Sequence, residues 1–332
     1  MLEEPLDSER GIMSEVILFG EPMVMFTAAS PGPLDEVSNF TRLLAGAEVN
    51  VAIGLRRLGH TVSYVTKLGK DPFGRYIRSK LEEEQLEACI LEESEYWTGF
   101  QLKNKVLYGD PEVYYFRKNS AASHITSGDI EKVDLNGARM LHLTGIPAAL
   151  SKDCREASFR LLERAKEAGL TVSFDPNIRP SLWEDPYTMK ETINALAAQA
   201  DIVLPGIGEG EILMGSRNPE DIAAYYRHLG AKMVFVKAGP EKTFVSSEEE
   251  TGYYPGFKVD HVVDTVGAGD GFAVGILSAC LEKKTVSEMV ERGNAIGAMQ
   301  VMVESDNEGL PGPKELACFI AANRSASSGR SI

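Results

Sequence analysis

The sequence lacks the residue patterns that mark several common kinds of enzyme. Its five histidines show no metal-ligand spacing, and it contains neither a Gly-x-Ser-x-Gly hydrolase elbow nor a Gly-Lys-Ser/Thr phosphate loop. No Gly-x-Gly-x-x-Gly motif follows the first strand-like segment, which argues against a nicotinamide dehydrogenase. Zinc-enzyme, serine-hydrolase and P-loop interpretations are therefore set aside.

Cysteines and long apolar segments are also scarce. The chain has only four cysteines, far apart and without a Cys-x-x-Cys pair, so we expect reduced, buried thiols and no disulfide framework. No apolar run approaches the length of a membrane span, and residues 1–10 show no basic segment followed by an apolar one. We expect no signal peptide and a cytoplasmic protein. The cysteines are Cys89, Cys154, Cys280 and Cys318.

Basic residues are outnumbered, with 34 Lys and Arg against 49 Asp and Glu, and the net charge is −15. This balance argues against nucleic acid or an anionic membrane as a partner, because both bind to basic patches.

With 332 residues, of which 43% are hydrophobic, the chain can bury one large core. We expect one domain over residues 14–322, with flexible tails at 1–13 and 323–332.

Strand and helix patterns alternate along most of the chain, which is typical of an α/β fold with a parallel sheet. Apolar strand patterns at 141–145 and 171–175 flank a helix pattern that begins at Ser151 and ends at Gly169. These residues predict one complete βαβ unit. The predicted fold is a three-layer α/β/α sandwich with a mostly parallel central sheet.

Two segments interrupt this alternation and predict a smaller second sheet. Residues 98–107 and 112–117 alternate in character around a turn signal at 108–111, as in a β-hairpin with no helix between its strands. Residues from about 22 to 40 are strand-like as well. We predict that residues 22–40 and 97–118 form a β lid standing off the main sheet.

Three small residues, Gly267, Ala268 and Gly269, lead directly into an apolar helical run. Their N–H groups are expected at a helix N-terminus with no side chain in front of them, which is the geometry of an anion hole. Asp270 follows, and its carboxylate suits the removal of a proton from an attacking hydroxyl. The pattern predicts phosphoryl transfer to an alcohol. For these four residues alone, a tight turn with a capping aspartate is the simpler alternative.

The longer stretch around this turn resembles a known family. Residues 264–277 fit the C-terminal signature of the ribokinase (PfkB) family of carbohydrate kinases. Residues 45–50 are similar to the N-terminal signature of that family, with Gly59 and Gly69 at its closing glycine positions. Glu48 stands where the general pattern has a small residue, and this resembles the branch of the family that acts on 2-keto-3-deoxygluconate.

Two arginines indicate what kind of sugar is bound. Tyr115 and Arg117 lie two apart on the second lid strand and therefore share a face. Asn177 and Arg179 lie at the strand rim, where flanking prolines favour an extended path. Because a guanidinium can bind a carboxylate through two hydrogen bonds, we predict a carboxylated sugar. The alternative is a solvated edge strand, with both arginines in surface ion pairs.

The resemblance also implies roles for individual residues. Glu209 is expected to act through Mg²⁺ and its water, although Gly206 replaces the usual asparagine; a carboxylate favoured by the helix dipole explains Glu209 equally well. Asn50 taken alone is more simply a local hydrogen-bonding residue. The implied ATP contacts are Lys237, Gly239, Thr265, residues 267–269 and Asn294, and the implied substrate contacts are Gly46, Ala47, Asn50, Gln101, Tyr115, Arg117, Asn177, Arg179 and Asp270.

Together these features predict a kinase that uses ATP and Mg²⁺ to phosphorylate the terminal 6-hydroxyl of 2-keto-3-deoxygluconate, with Asp270 as the general base. A monovalent cation such as K⁺ is a further cofactor that the resemblance allows, and a homo-oligomer formed through the lid is expected. A fructokinase or another neutral-sugar kinase is the alternative within the family. A non-catalytic sugar or nucleotide sensor is the alternative from another class.

Overall fold

The computed structural model describes residues 14–92, 95–106, 111–259 and 261–328. Strands and helices alternate over most of these ranges, as predicted. The strands are β1 (Val16–Phe19), β2 (Met23–Pro31), β3 (Phe40–Ala45), β4 (Val62–Leu68), β5 (Glu87–Glu92), β6 (Phe100–Lys105), β7 (Val113–Phe116), β8 (Met140–Thr144), β9 (Thr171–Asp175), β10 (Ile202–Val203), β11 (Met233–Lys237), β12 (Lys242–Ser246) and β13 (Thr251–Pro255). The helices are α1 (Ala47–Arg57), α2 (Pro72–Glu83), α3 (Ser127–Ile130), α4 (Gly145–Leu150), α5 (Lys152–Glu167), α6 (Pro186–Ala197), α7 (Ile207–Met214), α8 (Pro219–His228), α9 (Ala268–Leu281), α10 (Val286–Gln300) and α11 (Pro313–Ser328).

The main sheet has nine strands in the order β13-β12-β11-β10-β9-β8-β1-β4-β5. Neighbouring strands pair in parallel from β5 to β11, and only the β11–β12 and β12–β13 pairs at one edge are antiparallel. The carboxyl ends of the parallel strands therefore meet at one rim, which is where ligands bind in open α/β sheets.

Apolar side chains cover both faces of this sheet, which confirms the three-layer prediction. On β11, Val234 and Val236 belong to the core cluster that contains Leu161 of α5, whereas Phe235 belongs to the cluster that contains Leu277 of α9. Successive side chains of a strand point to opposite faces, so α5 and α9 pack on opposite sides of the sheet.

The predicted βαβ unit is confirmed. Helix α5 lies between β8 and β9, which pair in parallel, and the side chain of Ser151 caps it by accepting a hydrogen bond from the amide of Cys154. Gly169 ends the connection with φ at +74°, a left-handed conformation that glycine adopts without strain. The short helix α4 before Ser151 was not predicted.

The smaller sheet is the predicted lid, with the strand order β3-β2-β6-β7. Strands β6 and β7 pair antiparallel as the sequence predicted, while the turn signal at 108–110 lies outside the described residues. The predicted lid boundary at residue 40 is wrong, because β3 extends from Phe40 to Ala45 and pairs along its whole length with β2. The lid therefore continues directly into the N-terminus of α1.

The C-terminal boundary also needs correction. Helix α11 runs to Ser328 and so includes residues that the sequence assigned to a flexible tail from Asn323 onward. The side chain of Asn323 donates to the carbonyl of Phe319, and Arg324 pairs with Glu291 of α10, which ties this turn to the domain. Residues 1–13, the other predicted tail, lie outside the described residues.

All four cysteines are free thiols, as expected, but they are not all buried. Cys154 is buried, and burial raises its pKa to about 11, whereas Cys318 is exposed on α11. Within residues 14–92, 95–106, 111–259 and 261–328, no helix combines the length and the apolar character that crossing a bilayer requires.

Candidate active site

A cavity of about 440 Å³ lies between the lid and the carboxyl ends of the parallel strands. It is bounded by the lid strands β6 and β7, by the N-terminal turns of α1 and α9, by the rim residues that follow β9 and β10, and by the last residue of β11. Most of the predicted site residues line it, namely Gly46, Ala47, Asn50, Gln101, Tyr115, Arg117, Asn177, Arg179, Glu209, Lys237, Thr265, Gly267, Gly269 and Asp270.

The N-terminus of α9 has the predicted anion-hole geometry. Gly267 precedes the helix with φ at +82°, and no side chain caps the amides that follow. This left-handed residue turns the chain sharply, and Gly267 and Gly269 line the cavity, while the amide of Ala268 donates to the carbonyl of Thr265 across 3.4 Å. Asp270 lies in the first turn of the same helix and also lines the cavity.

Asp270 is held by Asn50, whose Nδ2 donates to Oδ2 of the carboxylate across 2.8 Å. Burial raises the pKa of Asp270 to about 7; the hydrogen bond from Asn50 opposes this shift, and the negative charge of Asp175 adds to it. A carboxylate that titrates near neutral pH is well matched to accept a proton from a hydroxyl.

Lys237 brings a positive charge to the anion hole. Its Nζ donates to Oδ2 of Asp175 across 2.6 Å, and a Cβ atom placed on Gly269 would lie only 3.7 Å from the same Nζ. Burial by itself would lower the pKa of Lys237, but the carboxylates of Asp175 and Glu209 outweigh it and raise the pKa. The ammonium is therefore charged beside Gly269, at the start of α9.

The comparison with protein families agrees with this geometry. The family model described as "pfkB family carbohydrate kinase" matches residues 13–312. The chain belongs to the PfkB family of carbohydrate kinases. It therefore has the ribokinase-like fold and is a carbohydrate kinase.

Three relatives of this kinase illustrate the similarity. The 2-dehydro-3-deoxygluconokinase of Bacillus subtilis (strain 168) is 47% identical over 93% of the chain and 96% of the relative. A PfkB protein from Polaromonas sp. JS666 has a crystal structure that matches with a TM-score of 0.83 and 44% identity, covering 92% and 99% of the two chains. The ribokinase II structure from E. coli, solved with ATP and Mg²⁺, matches with a TM-score of 0.85 and 26% identity, covering 93% and 99%.

On the lid side of the kinase's cavity, Arg117 is already paired. Its Nε donates to Oε2 of Glu21 across 2.6 Å, and both side chains are buried, with exposures of 6% and 1%. Tyr115 shares the cavity face with Arg117, as predicted, and the guanidinium lies 5.8 Å from its ring centroid. Strand β7 is the edge strand of the lid and Tyr115 is 41% exposed, as the alternative had it, but both residues line the cavity and Arg117 pairs with a buried glutamate rather than in a surface ion pair. Glu21, at the end of β1, was missed as the partner of Arg117.

On the rim side, Arg179 faces the same cavity, but the extended path predicted for its neighbour is wrong. Asn177 has φ at +38°, in the left-handed region, and its amide donates to Oδ1 of Asp175. Asparagine tolerates this conformation better than most residues, and such a hydrogen bond to an aspartate two residues earlier closes an Asx turn. The turn brings Asn177 and Arg179 to the cavity together.

Of the two interpretations of Glu209, the structure confirms the capping carboxylate, and the role with Mg²⁺ remains a prediction. Its carboxylate accepts from the amide of Gly206 at the start of α7 and from the amide of Ile178, so it is a capping carboxylate. It also lines the cavity, and burial raises its pKa. Within the described residues, no group of three or more acidic, histidine or cysteine side chains could hold a metal alone. Glu209 and Asp175 both line the cavity, and one or two carboxylates are what Mg²⁺ commonly uses where it also binds nucleotide phosphates.

Three predicted ATP residues do not line the cavity. Ala268 lies between two lining glycines without lining the cavity itself, and Gly239 lies beyond the end of β11 with φ at +88°. Asn294 of α10 donates to the carbonyl of Pro255 and accepts from Thr243, so it bonds to the β12–β13 hairpin. Their roles in ATP binding remain predictions.

Several cavity residues were missed, although most of them lie on segments that the sequence analysis recognised. Lys103 on β6 and Asp306 after α10 both line the cavity and pair with each other. The sequence marks Asp175 only as the end of a strand, although a carboxylate at the carboxyl end of a parallel strand is a usable signal for a site. Glu48, interpreted as a branch signature, accepts from Thr144 and also lines the cavity.

Proposed function

We propose that this kinase transfers the γ-phosphoryl group of ATP to the terminal 6-hydroxyl of 2-keto-3-deoxygluconate. The observation that carries the proposal is that Asp270, the two glycines at the start of α9 and two arginines line the same cavity. The base and the anion hole supply the chemistry of phosphoryl transfer, and the arginines supply a site for a substrate carboxylate. The similarity to the Bacillus subtilis enzyme supports the same substrate.

The proposed reaction is a single displacement at the γ-phosphorus, with the sugar hydroxyl as the nucleophile and ADP as the leaving group. As the 6-oxygen attacks the γ-phosphorus, Asp270 takes the hydroxyl proton and the bond between the phosphorus and ADP breaks. Charge that develops on the transferred group is met by the amides of residues 267–269 and by the ammonium of Lys237, which act in a site shielded from bulk water. Mg²⁺ bound with ATP would neutralise phosphate charge, with Glu209 and Asp175 as the carboxylates placed to hold it through water.

The arginines favour a sugar acid over a neutral sugar. The Nε and one terminal nitrogen of Arg117 are bound to Glu21, so its other terminal nitrogen is the group available to a ligand. Arg179 donates from Nη1 to the carbonyl of Ile178 across 3.1 Å and also lines the cavity. A carboxylate can bind to both arginines, whereas a neutral ketohexose offers them no charge.

A coupled ADP-release assay tests the substrate. The purified protein is assayed with ATP and Mg²⁺ against 2-keto-3-deoxygluconate, 2-keto-3-deoxygalactonate, gluconate, fructose and ribose, and the product is analysed for a 6-phosphate. We expect the highest kcat/KM with a 2-keto-3-deoxy sugar acid. A higher kcat/KM for fructose would favour the neutral-sugar alternative, and an absence of sugar-dependent ADP release would favour the sensor.

We also propose that the lid forms a homodimer contact and that the enzyme works in the reducing cytoplasm, where its free cysteines would persist. On β7, Tyr114 and Phe116 point away from the cavity and are 53% and 46% exposed, and Trp97 beside the lid is 57% exposed. Such an aromatic face is typical of protein interfaces. Light scattering of the wild type and of Tyr114→Glu should give a dimer and a monomer, respectively.

A further inference from the structure

Lys103 of the lid makes a buried ion-pair cluster beside the anion hole. Its Nζ donates to Oδ2 of Asp264 and lies 3.3 Å from Oδ1 of Asp306. The three residues are 2%, 8% and 4% exposed. Charges are seldom buried this deeply unless they are paired, and an unpaired partner left behind is strongly destabilising.

The cluster joins three segments that meet at the anion hole. Lys103 belongs to β6, Asp264 precedes the glycine turn, and Asp306 lies on the 303–309 loop after α10. That loop supports the turn from behind, because a Cβ atom on Gly267 would lie only 2.6 Å from the Asp306 carbonyl oxygen. The ammonium of Lys103 therefore lies where the lid, the glycine turn and the loop meet.

The ammonium keeps its charge in this setting. Burial alone would lower the pKa of Lys103, but the two aspartates outweigh it and the pKa is raised. Asp264 also accepts a hydrogen bond from the amide of Val266, which fixes the carboxylate that Lys103 contacts. A charged nitrogen coordinated by carboxylate oxygens has the charge and the kind of ligands of a bound monovalent metal ion.

The K⁺ that the family resemblance allows does not fit beside this turn. Asp264 and Asp306 are the buried carboxylates in contact with the turn and its supporting loop, and the ammonium of Lys103 lies against both. A cation placed between them would face a fixed positive charge in a region of low dielectric constant, where repulsion is strong.

We propose that Lys103 acts as a built-in monovalent cation: its ammonium positions the anion-hole turn, so phosphoryl transfer by this enzyme does not require K⁺. Lys103 is a positioning residue, since it acts through Asp264 and Asp306. The inference rests on the kinase activity proposed above, whichever sugar proves to be the substrate.

Lys105 provides a matched control on the same strand. It lies two residues further along β6 and pairs with Glu304 of the same loop across 2.7 Å, but the two side chains are 33% and 59% exposed. Exposed pairs of this kind contribute little to stability. Lys105→Ala therefore removes a lysine from the same face of the lid without emptying the buried site.

The test measures kcat, KM and Tm of the wild type, Lys103→Ala, Lys103→Met and Lys105→Ala in tetramethylammonium buffer with and without KCl. We expect wild type and Lys105→Ala to respond to K⁺ in neither kcat nor Tm. Lys103→Ala should lose about 100-fold in kcat, with KM for ATP changed far less, because the anion-hole turn is misplaced. KCl should restore kcat by about tenfold or more and raise Tm in Lys103→Ala only.

The outcomes separate the proposals. K⁺ activation of the wild type overturns the inference without any variant, and so does wild-type kcat in Lys103→Met. A folded Lys103→Ala enzyme whose kcat and Tm ignore K⁺ also overturns it. Absence of wild-type turnover with every sugar would instead contradict the proposed function, and in that case the K⁺ response of Tm still tests the site.

Discussion

The side-chain amide of Asn50 donates to the carboxylate of Asp270 across 2.8 Å, although 220 positions separate the two residues in the chain. The orientation of this amide is fixed from behind, because Oδ1 of Asn50 accepts from Nδ2 of Asn307. Asn307 also donates to the carbonyl of Leu44, at the end of the lid strand β3. The carboxylate of Asp270 is thus held by side-chain amides that connect it to the lid.

Asp270→Asn should abolish most of the activity while leaving the site in place. Asparagine keeps the size of the side chain and an oxygen for Asn50, but it cannot accept the hydroxyl proton. We expect kcat to fall about 10²- to 10⁴-fold, with much smaller changes in KM for ATP and sugar. The control is Asp153→Asn, an exposed acidic residue in the first turn of α5. Near-normal turnover in Asp270→Asn would remove Asp270 from its role.

The pH dependence of kcat/KM should report the titration of Asp270. The base acts when ionised, so kcat/KM should rise with pH and level off above a pKa of about 7. Because the hydrogen bond from Asn50 lowers the pKa of Asp270, Asn50→Ala should move the inflection to higher pH by about one unit. Asn307→Ala should move it in the same direction by less, and the exposed Asn136→Ala should not move it. A profile with no inflection between pH 6 and 8 would contradict the assignment.

Ionisation of Asp270 should destabilise the folded protein as the pH rises. Its pKa is about 7 in the folded protein, against 3.8 for an unperturbed aspartate, so the folded state binds more protons between these two values. The free energy of unfolding contributed by this group therefore falls as the pH rises through that window. We expect Asp270→Asn to melt at a higher temperature than the wild type, by a margin that widens from pH 4 to 7 and is constant above. Equal Tm values at pH 8 would argue against a raised pKa.

Arg179→Gln should distinguish sugar acids from neutral sugars. The substitution removes the charge but keeps a polar side chain at the rim of the cavity. We expect KM for the sugar acid to rise about 10- to 100-fold, the range of a charged hydrogen bond, while KM for ATP changes little. Arg217→Gln is the control, because Arg217 is 57% exposed and pairs only with Glu211 among the described contacts. An unchanged KM for the sugar acid would show that Arg179 does not contact the carboxylate.

The sequence predicts those parts of the site that neighbouring residues determine, and it does not predict contacts between distant segments. The glycine turn, the helix α9 that it starts and the βαβ unit around α5 depend on neighbouring residues, and all three were predicted. The partner of Arg117 was not, because pairing with Glu21 depends on how the lid meets β1. The loop that holds Asp306 and Asn307 has no regular period, so its approach to the turn can be seen only in three dimensions.

Gly267→Ala and Gly269→Ala should distinguish the contribution of the glycine turn to stability from its contribution to turnover. At Gly267, φ is +82° and a Cβ atom would lie 2.6 Å from the carbonyl oxygen of Asp306, so alanine meets both backbone strain and a steric clash. At Gly269, φ is not in the left-handed region, and the nearest atom to a new Cβ is Nζ of Lys237 at 3.7 Å, an ordinary contact. We expect Gly267→Ala to lose at least about 1–2 kcal/mol of stability together with activity.

Gly269→Ala should instead keep the wild-type Tm and lose turnover, because its methyl group would stand beside Nζ of Lys237 in the cavity where we place the phosphoryl group. Losing one hydrogen-bond donor costs about 10²- to 10³-fold in kcat in enzymes that stabilise an oxyanion. The control is Gly208→Ala on α7, near the same rim, where a Cβ atom meets nothing within 4 Å. If Gly269→Ala had the same kcat as Gly208→Ala, the amides at the start of α9 would not contact the phosphoryl group. Lys237 would then be the group that stabilises the negative charge of the transferred phosphoryl group.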